Sequence, residues 1–223
     1  MLLKGSTTRS TINFILVLFV VAFSIVIAIK GFTFINPDFE KGFLRGRESY
    51  FFGWYAWGLY AHVIGAPPVM IIGAYLTIIN RGKKKKQLHR ILGYMYTLLL
   101  IGVAAPGGLI MSVKTITGWP SGISFILLSI IWVSSTIMAV GYARRLNFRM
   151  HIIYMQLSFI MSLAALILRL ILPLGHTLFP SNPAAVYNFI AWLCWTPQFF
   201  IWLVVNRRLL FSNARQTPIL VAE

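Results

Sequence analysis

The chain has 223 residues and a formal net charge of +16 at pH 7, with 58% hydrophobic residues but only 11% charged ones. A soluble domain of this length could not keep its surface polar with so few charges, so the composition indicates an integral membrane protein. The basic residues lie in short segments between apolar runs, which argues against nucleic-acid binding. A single cysteine, Cys194, excludes an intrachain disulfide and a four-thiolate metal site.

Six apolar runs are each long enough, at about 20 residues, to cross roughly 30 Å of hydrocarbon as a helix. They lie at residues 11–29, 53–79, 91–113, 123–142, 150–172 and 184–205. The sequence therefore predicts an all-α fold, in which residues 1–223 form a single polytopic domain, an integral membrane bundle of six transmembrane helices. The first run is too long for a signal peptide and is followed by no small-residue cleavage site, so we expect a retained helix.

Turn signals divide the later runs. The stretch "TGWPSG", residues 117–122, separates the third run from the fourth, and "PLGHTLFPSNP", residues 173–183, separates the fifth from the sixth. The second stretch holds three prolines, which favour a loop over a continuous helix. That loop contains His176.

The distribution of Lys and Arg predicts the orientation in the membrane. Alternate loops carry fourteen basic residues, and the other side carries six. Both termini are therefore expected in the cytoplasm of a bacterial inner membrane. The run from Lys83 to Lys86 suits anionic lipid headgroups at the cytoplasmic face.

The acidic residues number only four, and no apolar run contains one. They are Asp38, Glu40, Glu48 and Glu223. Proton pumps and cation-coupled transporters usually keep carboxylates at membrane depth, so the absence of such residues argues against those classes.

The second run contains His62 and, five and six residues further on, Pro67 and Pro68. The helical face that carries His62 is made mostly of small or apolar residues. They are Tyr55, Gly58, Ala66, Val69, Gly73 and Thr77. A face of small residues lets another helix approach closely, so we expect His62 to point into the bundle. The prolines free backbone carbonyls and are expected to bend the helix beside a cavity.

Two histidines open spans at the cytoplasmic side. His89 begins the third span and His151 the fifth, so we expect them to lie at similar depth and close together. Haem iron accepts two neutral imidazoles, and bundle cores build such sites from facing helices. His89 and His151 are therefore the candidate ligands of a haem b, with Arg90 and Arg149 suited to its propionates. A zinc enzyme is less favoured, because a third ligand and a carboxylate base are missing.

Other polar residues allow more than one interpretation. Arg169 lies 18 residues after His151, on the same helical face. It either reaches the outer surface, holds a cofactor's anionic group, or pairs with His62 through water. His62 and His176 lie on the outer side, where an outer haem is a weaker hypothesis. In the sixth span, Trp192, Trp195 and Trp202 either pack the bundle or line a flat pocket.

Several motifs together resemble a bacterial family of predicted multi-pass membrane proteins, the domain of unknown function 2306. The motifs are, in order, "HVIGAPPVMIIGAY", "LHRILGYMY", "LILRLILP" and "AWLCWTP". The resemblance covers roughly residues 60–208. It implies shared positions for His62, for the Leu-His-Arg ending at Arg90, and for His151 with Arg169. It implies no known activity.

The sequence allows three functional hypotheses. The first is an electron-transfer protein that binds haem b or a quinone through His62, His89, His151, Arg90 and Arg169. The second is a non-catalytic subunit whose histidines are satisfied by hydrogen bonds and whose partners are other membrane proteins. The third is a small-molecule transporter with a cavity at the Pro67 bend.

Overall fold

The computed structural model describes residues 4–79 and 86–214, with side chains from Thr11 to Leu210 within those ranges. Ten α-helices make up this part of the chain, which contains no strand. They are α1 (Lys4–Phe32), α2 (Glu48–Phe51), α3 (Trp54–Ala74), α4 (Lys86–Leu99), α5 (Ala105–Val113), α6 (Trp119–Arg144), α7 (Phe148–Ser162), α8 (Ala164–Leu178), α9 (Pro183–Leu193) and α10 (Thr196–Ala214). The predicted all-α class is confirmed.

Six helical segments in the described residues are long and apolar enough to cross a membrane. They are Thr11–Ile35, Trp54–Ile79, Lys86–Val113, Trp119–Arg144, Phe148–Leu178 and Pro183–Leu210. The number and order of spans agree with the sequence prediction. Most of the Lys83–Lys86 run falls outside the described residues, and Lys86 begins α4.

The prediction of a loop over residues 173–183 is wrong for the first half of that range. Helix α8 continues through Pro173 to Leu178, and the connection begins only at Phe179. A proline removes one backbone hydrogen-bond donor, but the residues on either side of Pro173 remain helical. Transmembrane helices often tolerate such a proline. His176 is consequently an exposed helical residue near the end of α8, rather than a loop residue.

Four of the spans change geometry along their length. The second ends in a π-helical segment, Tyr75–Ile79, and the third contains another, Leu100–Ala104, just before Pro106. The fifth is interrupted at Leu163, between α7 and α8. The sixth is interrupted after Leu193, and α10 resumes at Thr196 with Pro197 in its first turn. Such interruptions in membranes occur where the freed backbone groups face protein or a cavity.

Two ends of the bundle differ in chemistry. The basic end contains the start of α4, the α6–α7 connection with Arg144, Arg145 and Arg149, and Arg207 with Arg208. At the opposite end, called here the loop end, the segment from Thr33 to Gly53 folds over α3. This segment is anchored to α3 by a cluster of buried side chains, which are Leu44, Phe51, Tyr55 and Leu59.

The main core lies around α7. This helix packs against α6 and also contacts α3 and α10. The tryptophans of the last span attach it to its neighbours: Trp195 Nε1 donates to Ser124 Oγ at 2.9 Å, and Trp202 Nε1 donates to the Ile153 carbonyl at 3.1 Å. Both indoles are nearly inaccessible. They therefore pack the bundle, which was the first of the two interpretations for this region.

Helices α3 and α5 approach each other closely through glycine. A Cβ atom built on Gly107 would lie 2.5 Å from the Gly58 carbonyl oxygen and 2.6 Å from the His62 amide nitrogen. One built on Gly65 would lie 3.1 Å from the Ala104 nitrogen. The small-residue face predicted around His62 is thus a helix-packing surface, as expected for membrane helices.

Candidate functional site at the basic end of the bundle

His89 and His151 meet at the basic end. Their ring centroids are 6.3 Å apart and their ring planes are inclined by 73°. Each side chain is half-buried, and each lies near the start of its helix, α4 or α7. The sequence prediction that these two histidines are close in space is confirmed.

The tautomer of His151 follows from its hydrogen bond. Its Nδ1 lies 2.9 Å from the Ala139 carbonyl oxygen of α6. A carbonyl only accepts, so Nδ1 carries the proton and Nε2 is left with its lone pair. A ring nitrogen held in this way is the arrangement typical of metal-ligating histidines, because the second-shell bond fixes the ring and raises its basicity.

A buried polar contact further along the same helices fixes their register. Tyr96 and Ser158 lie seven residues after His89 and His151 respectively, and the Tyr96 hydroxyl is 2.7 Å from Ser158 Oγ. Seven residues are close to two helical turns, so both pairs lie on the facing sides of α4 and α7. The Tyr96–Ser158 contact therefore holds the two helices in the register that brings the histidines together.

The hydroxyl groups of this contact donate in one direction, from Tyr96 to Ser158 to Thr136. Thr136 Oγ1 donates to the Trp132 carbonyl at 2.8 Å and lies 2.7 Å from Ser158 Oγ. Since the single Thr136 proton is used, Ser158 must donate to Thr136, and Tyr96 must then donate to Ser158. All three side chains have no exposed surface. The chain of hydroxyls joins α4, α7 and α6 without leaving one of them unsatisfied.

Exposed arginines lie close to the histidine pair in the sequence. Arg90 follows His89 directly, Arg149 precedes His151 by two residues, and Arg144 ends α6 nearby in sequence. Each of these guanidinium side chains is exposed. They add positive charge to the basic end of the bundle, which suits an anionic group there.

His62 lies toward the loop end and is not part of this pair. Its Nδ1 donates to the Ala104 carbonyl of the π-helical segment at 2.8 Å, and its ring packs against the backbone of Gly108. His62 therefore faces protein, as the sequence predicted. Arg169 is exposed and its Nη1 donates to the Ala165 carbonyl one turn earlier at 3.0 Å.

The pair contains too few protein ligands for most metals. Among the residues that the structure describes, no group of three or more His, Cys, Asp or Glu side chains could hold a metal ion. Structural and catalytic zinc sites need three or four protein ligands. Two imidazoles suffice only for a metal that arrives with its remaining ligands, as haem iron does.

Sequence reasoning identified the histidines but missed what positions them. In the sequence, the residues that position the histidines look like any others of apolar helices. They are Ala139, Tyr96, Ser158 and Thr136. The shared offset of 62 residues, from His89 to His151 and from Tyr96 to Ser158, is a signal in the sequence only once the two helices are known to be neighbours.

The chain matches a known family of proteins. A family model described as "Predicted membrane protein (DUF2306)" matches residues 59–205, which include both histidines of the pair, His62 and Arg169. No curated protein and no solved structure matches the chain.

Proposed function

The chain belongs to the DUF2306 family of predicted membrane proteins, and we propose that, as a multi-pass membrane protein, it binds haem b between His89 and His151. When bound, haem b supplies one-electron chemistry, so the protein would transfer electrons at the membrane surface. The single observation that carries the proposal is the 6.3 Å separation of the two imidazole centroids.

The separation is short enough that both imidazoles would be able to hold one haem iron. Two metal–nitrogen bonds of about 2.0 Å and the radii of two imidazole rings place the centroids roughly 6 Å apart. The Ala139 carbonyl orients His151 so that Nε2 is the available ligand atom. Arg90 and Arg149 would neutralise the propionates at the headgroup level, where such long side chains keep their charge in water.

The second candidate function is structural. An edge-to-face contact of two imidazoles also occurs at this centroid separation. Moreover, His62 and His151 both donate to carbonyls of neighbouring helices, as buried polar groups do without any ligand. Under this alternative the chain is an accessory subunit that packs against other membrane proteins and contains no haem.

The absorbance spectrum of the purified protein separates the two candidates. The full-length chain, produced in cells supplied with a haem precursor and purified in mild detergent, is expected to show the Soret band and the sharp visible bands of a low-spin haem b. The His176→Ala variant is the matched control, because His176 is exposed and lies outside the pair. It should contain as much haem as the wild type. A colourless wild type that also fails to take up added haem would contradict the proposal.

We also propose that the basic end faces the cytoplasm of a bacterial inner membrane, with both termini there and anionic lipid headgroups against it. The support is the bias of fourteen basic residues to six. A reporter fused after Glu223 that is active only in the cytoplasm should be active, and one that is active only after export should be silent. The opposite pattern would place the haem pair at the external surface and contradict the orientation.

A further inference from the structure

A groove between α8 and α9 opens on the side of the bundle. Its volume is about 540 Å³, which lies in the range of pockets that hold small molecules. Gly175 and Ile190 form its floor, because a Cβ atom built on Gly175 would lie 2.6 Å from Ile190 Cδ1 and Ile190 is buried. Leu174 of α8 and Phe189 of α9 form its walls, and they are 59% and 67% exposed. The groove is therefore accessible from the surroundings of the protein.

The groove is about as long as one leaflet of a bilayer is thick. Its lining extends from Ile171 to Phe179 along the end of the fifth span, and from Asn182 to Leu193 along the start of the sixth. Helix α9 has 11 residues, which corresponds to roughly 16 Å at 1.5 Å per residue. Half of the hydrocarbon core of a bilayer measures about 15 Å. The groove therefore extends from the loop end to the level of the interruption after Leu193, near the middle of the membrane.

The side chains that line the groove are apolar except for that of Asn182, at its loop-end mouth. A buried water molecule needs several polar partners, so water is excluded from the deeper part of the groove. Because the lining residues include none with a charge, an ion would also have no partner there. An empty groove would leave its walls without the dispersion contacts that a neighbour provides, which is unfavourable. The chemistry that fits the groove is hydrocarbon.

We propose that this groove binds one acyl chain of a phospholipid from the leaflet at the loop end. The bilayer supplies such chains at the depth of the groove, and a chain that spans one leaflet matches its length. Asn182 gives the bound lipid a direction. Its Oδ1 accepts a hydrogen bond from the Ala185 amide at 3.1 Å and caps α9, and its Nδ2 is a donor that this cap does not use. The ester carbonyl of a phospholipid, at the boundary between headgroup and chain, is a suitable acceptor.

A chain in this groove is held more firmly than one that lies against a single convex helix. It contacts α8 and α9 at once, with Ile190 beneath it and Leu174 and Phe189 on either side, and the small dispersion energies of these contacts add up. The bound lipid should therefore stay with the protein when detergent removes the rest of the bilayer. The proposal does not depend on the haem, since His89 and His151 lie at the basic end of the bundle.

The first test fills the groove with a side chain. Ala185→Phe places a ring in the groove from the first turn of α9. Ala184→Phe is the matched control, because Ala184 is also exposed and lies in the same turn but does not line the groove. The full-length proteins are reconstituted into phosphatidylcholine nanodiscs and then transferred to mild detergent. Native mass spectrometry counts the lipid retained per chain, and thermal unfolding checks that each variant is folded.

We expect one firmly held phosphatidylcholine per wild-type chain. Ala185→Phe should bind this lipid about ten-fold more weakly, because the new ring and the acyl chain compete for the same volume, whereas Ala184→Phe should equal the wild type. Equal lipid contents in all three proteins would overturn the proposal. A wild type that purifies as a lipid-free dimer, which only Ala185→Phe dissociates, would also overturn it, because the groove would then hold a second copy of the chain.

A second measurement needs no variant, so it does not depend on the folding of Ala185→Phe. Phosphatidylcholine with a diazirine at the end of one acyl chain is included in nanodiscs of the wild type, and the labelled peptides are identified after irradiation. The label should concentrate on Ile171 and Leu193, the lining residues farthest from the mouth. It should be weaker on Leu98 and Ile130, which are exposed near the middle of the third and fourth spans. Equal labelling of all four residues would contradict the proposal.

Discussion

Replacement of Gly107 by alanine is expected to destabilise the bundle by about 1–3 kcal/mol, the usual effect of overpacking. The new methyl group would lie 2.6 Å from the His62 nitrogen and 3.1 Å from its Cα. These are backbone atoms of α3, so no side-chain rotation can relieve the contact, and α3 and α5 must separate. The measurement is thermal or denaturant unfolding of the purified protein in detergent.

Gly102→Ala is the control for this prediction. Gly102 lies in the same span, and a Cβ atom there would meet nothing within 4 Å. Alanine at that position should be neutral or slightly stabilising, because it lowers the conformational entropy of the unfolded chain. If the two variants unfold at the same temperature, the close approach of α3 and α5 is not a source of stability.

Replacement of His89 or His151 by alanine is expected to abolish the low-spin haem spectrum. Both imidazoles would hold the haem iron, so either variant would retain at most one of the two histidine ligands. The measurement is the visible spectrum and the haem content per chain, with His176→Ala and His62→Ala as controls. His62→Ala should be less stable than the wild type, because the hydrogen bond to the Ala104 carbonyl is lost, but it should retain the haem spectrum.

A structural role predicts a different pattern for the same variants. His151→Ala would then lower thermal stability, because the Ala139 carbonyl loses its donor, and no spectral change would accompany it. Equal haem contents in the wild type, His89→Ala and His151→Ala would show that any haem present binds elsewhere in the chain.

Much of the architecture is predictable because membrane helices have a strong signature. The six spans follow from apolar length alone, since each must satisfy its backbone within itself. The inward face of His62 follows from the small residues at helical spacing around it, which the contact of Gly107 with α3 confirms. The proximity of His89 and His151 follows from both opening spans on the same side of the membrane.

What could not be predicted depends on which helices are neighbours. The continuation of α8 through Pro173 reflects packing against α9, and proline chemistry alone favours a break. The Tyr96–Ser158–Thr136 chain joins residues up to 62 positions apart, and nothing in the sequence around any one of them marks it. Arg47 reads as a loop residue, and its burial arises because the loop folds back over α3.

The electron paramagnetic resonance spectrum of the oxidised, purified protein tests the central claim most directly. Two imidazole ligands from His89 and His151 predict the signal of a low-spin ferric haem, and this signal should disappear in His151→Ala while the protein stays folded. A high-spin signal in the wild type, or no haem signal in a protein purified from haem-supplied cells, would contradict the proposal that this pair holds a haem iron.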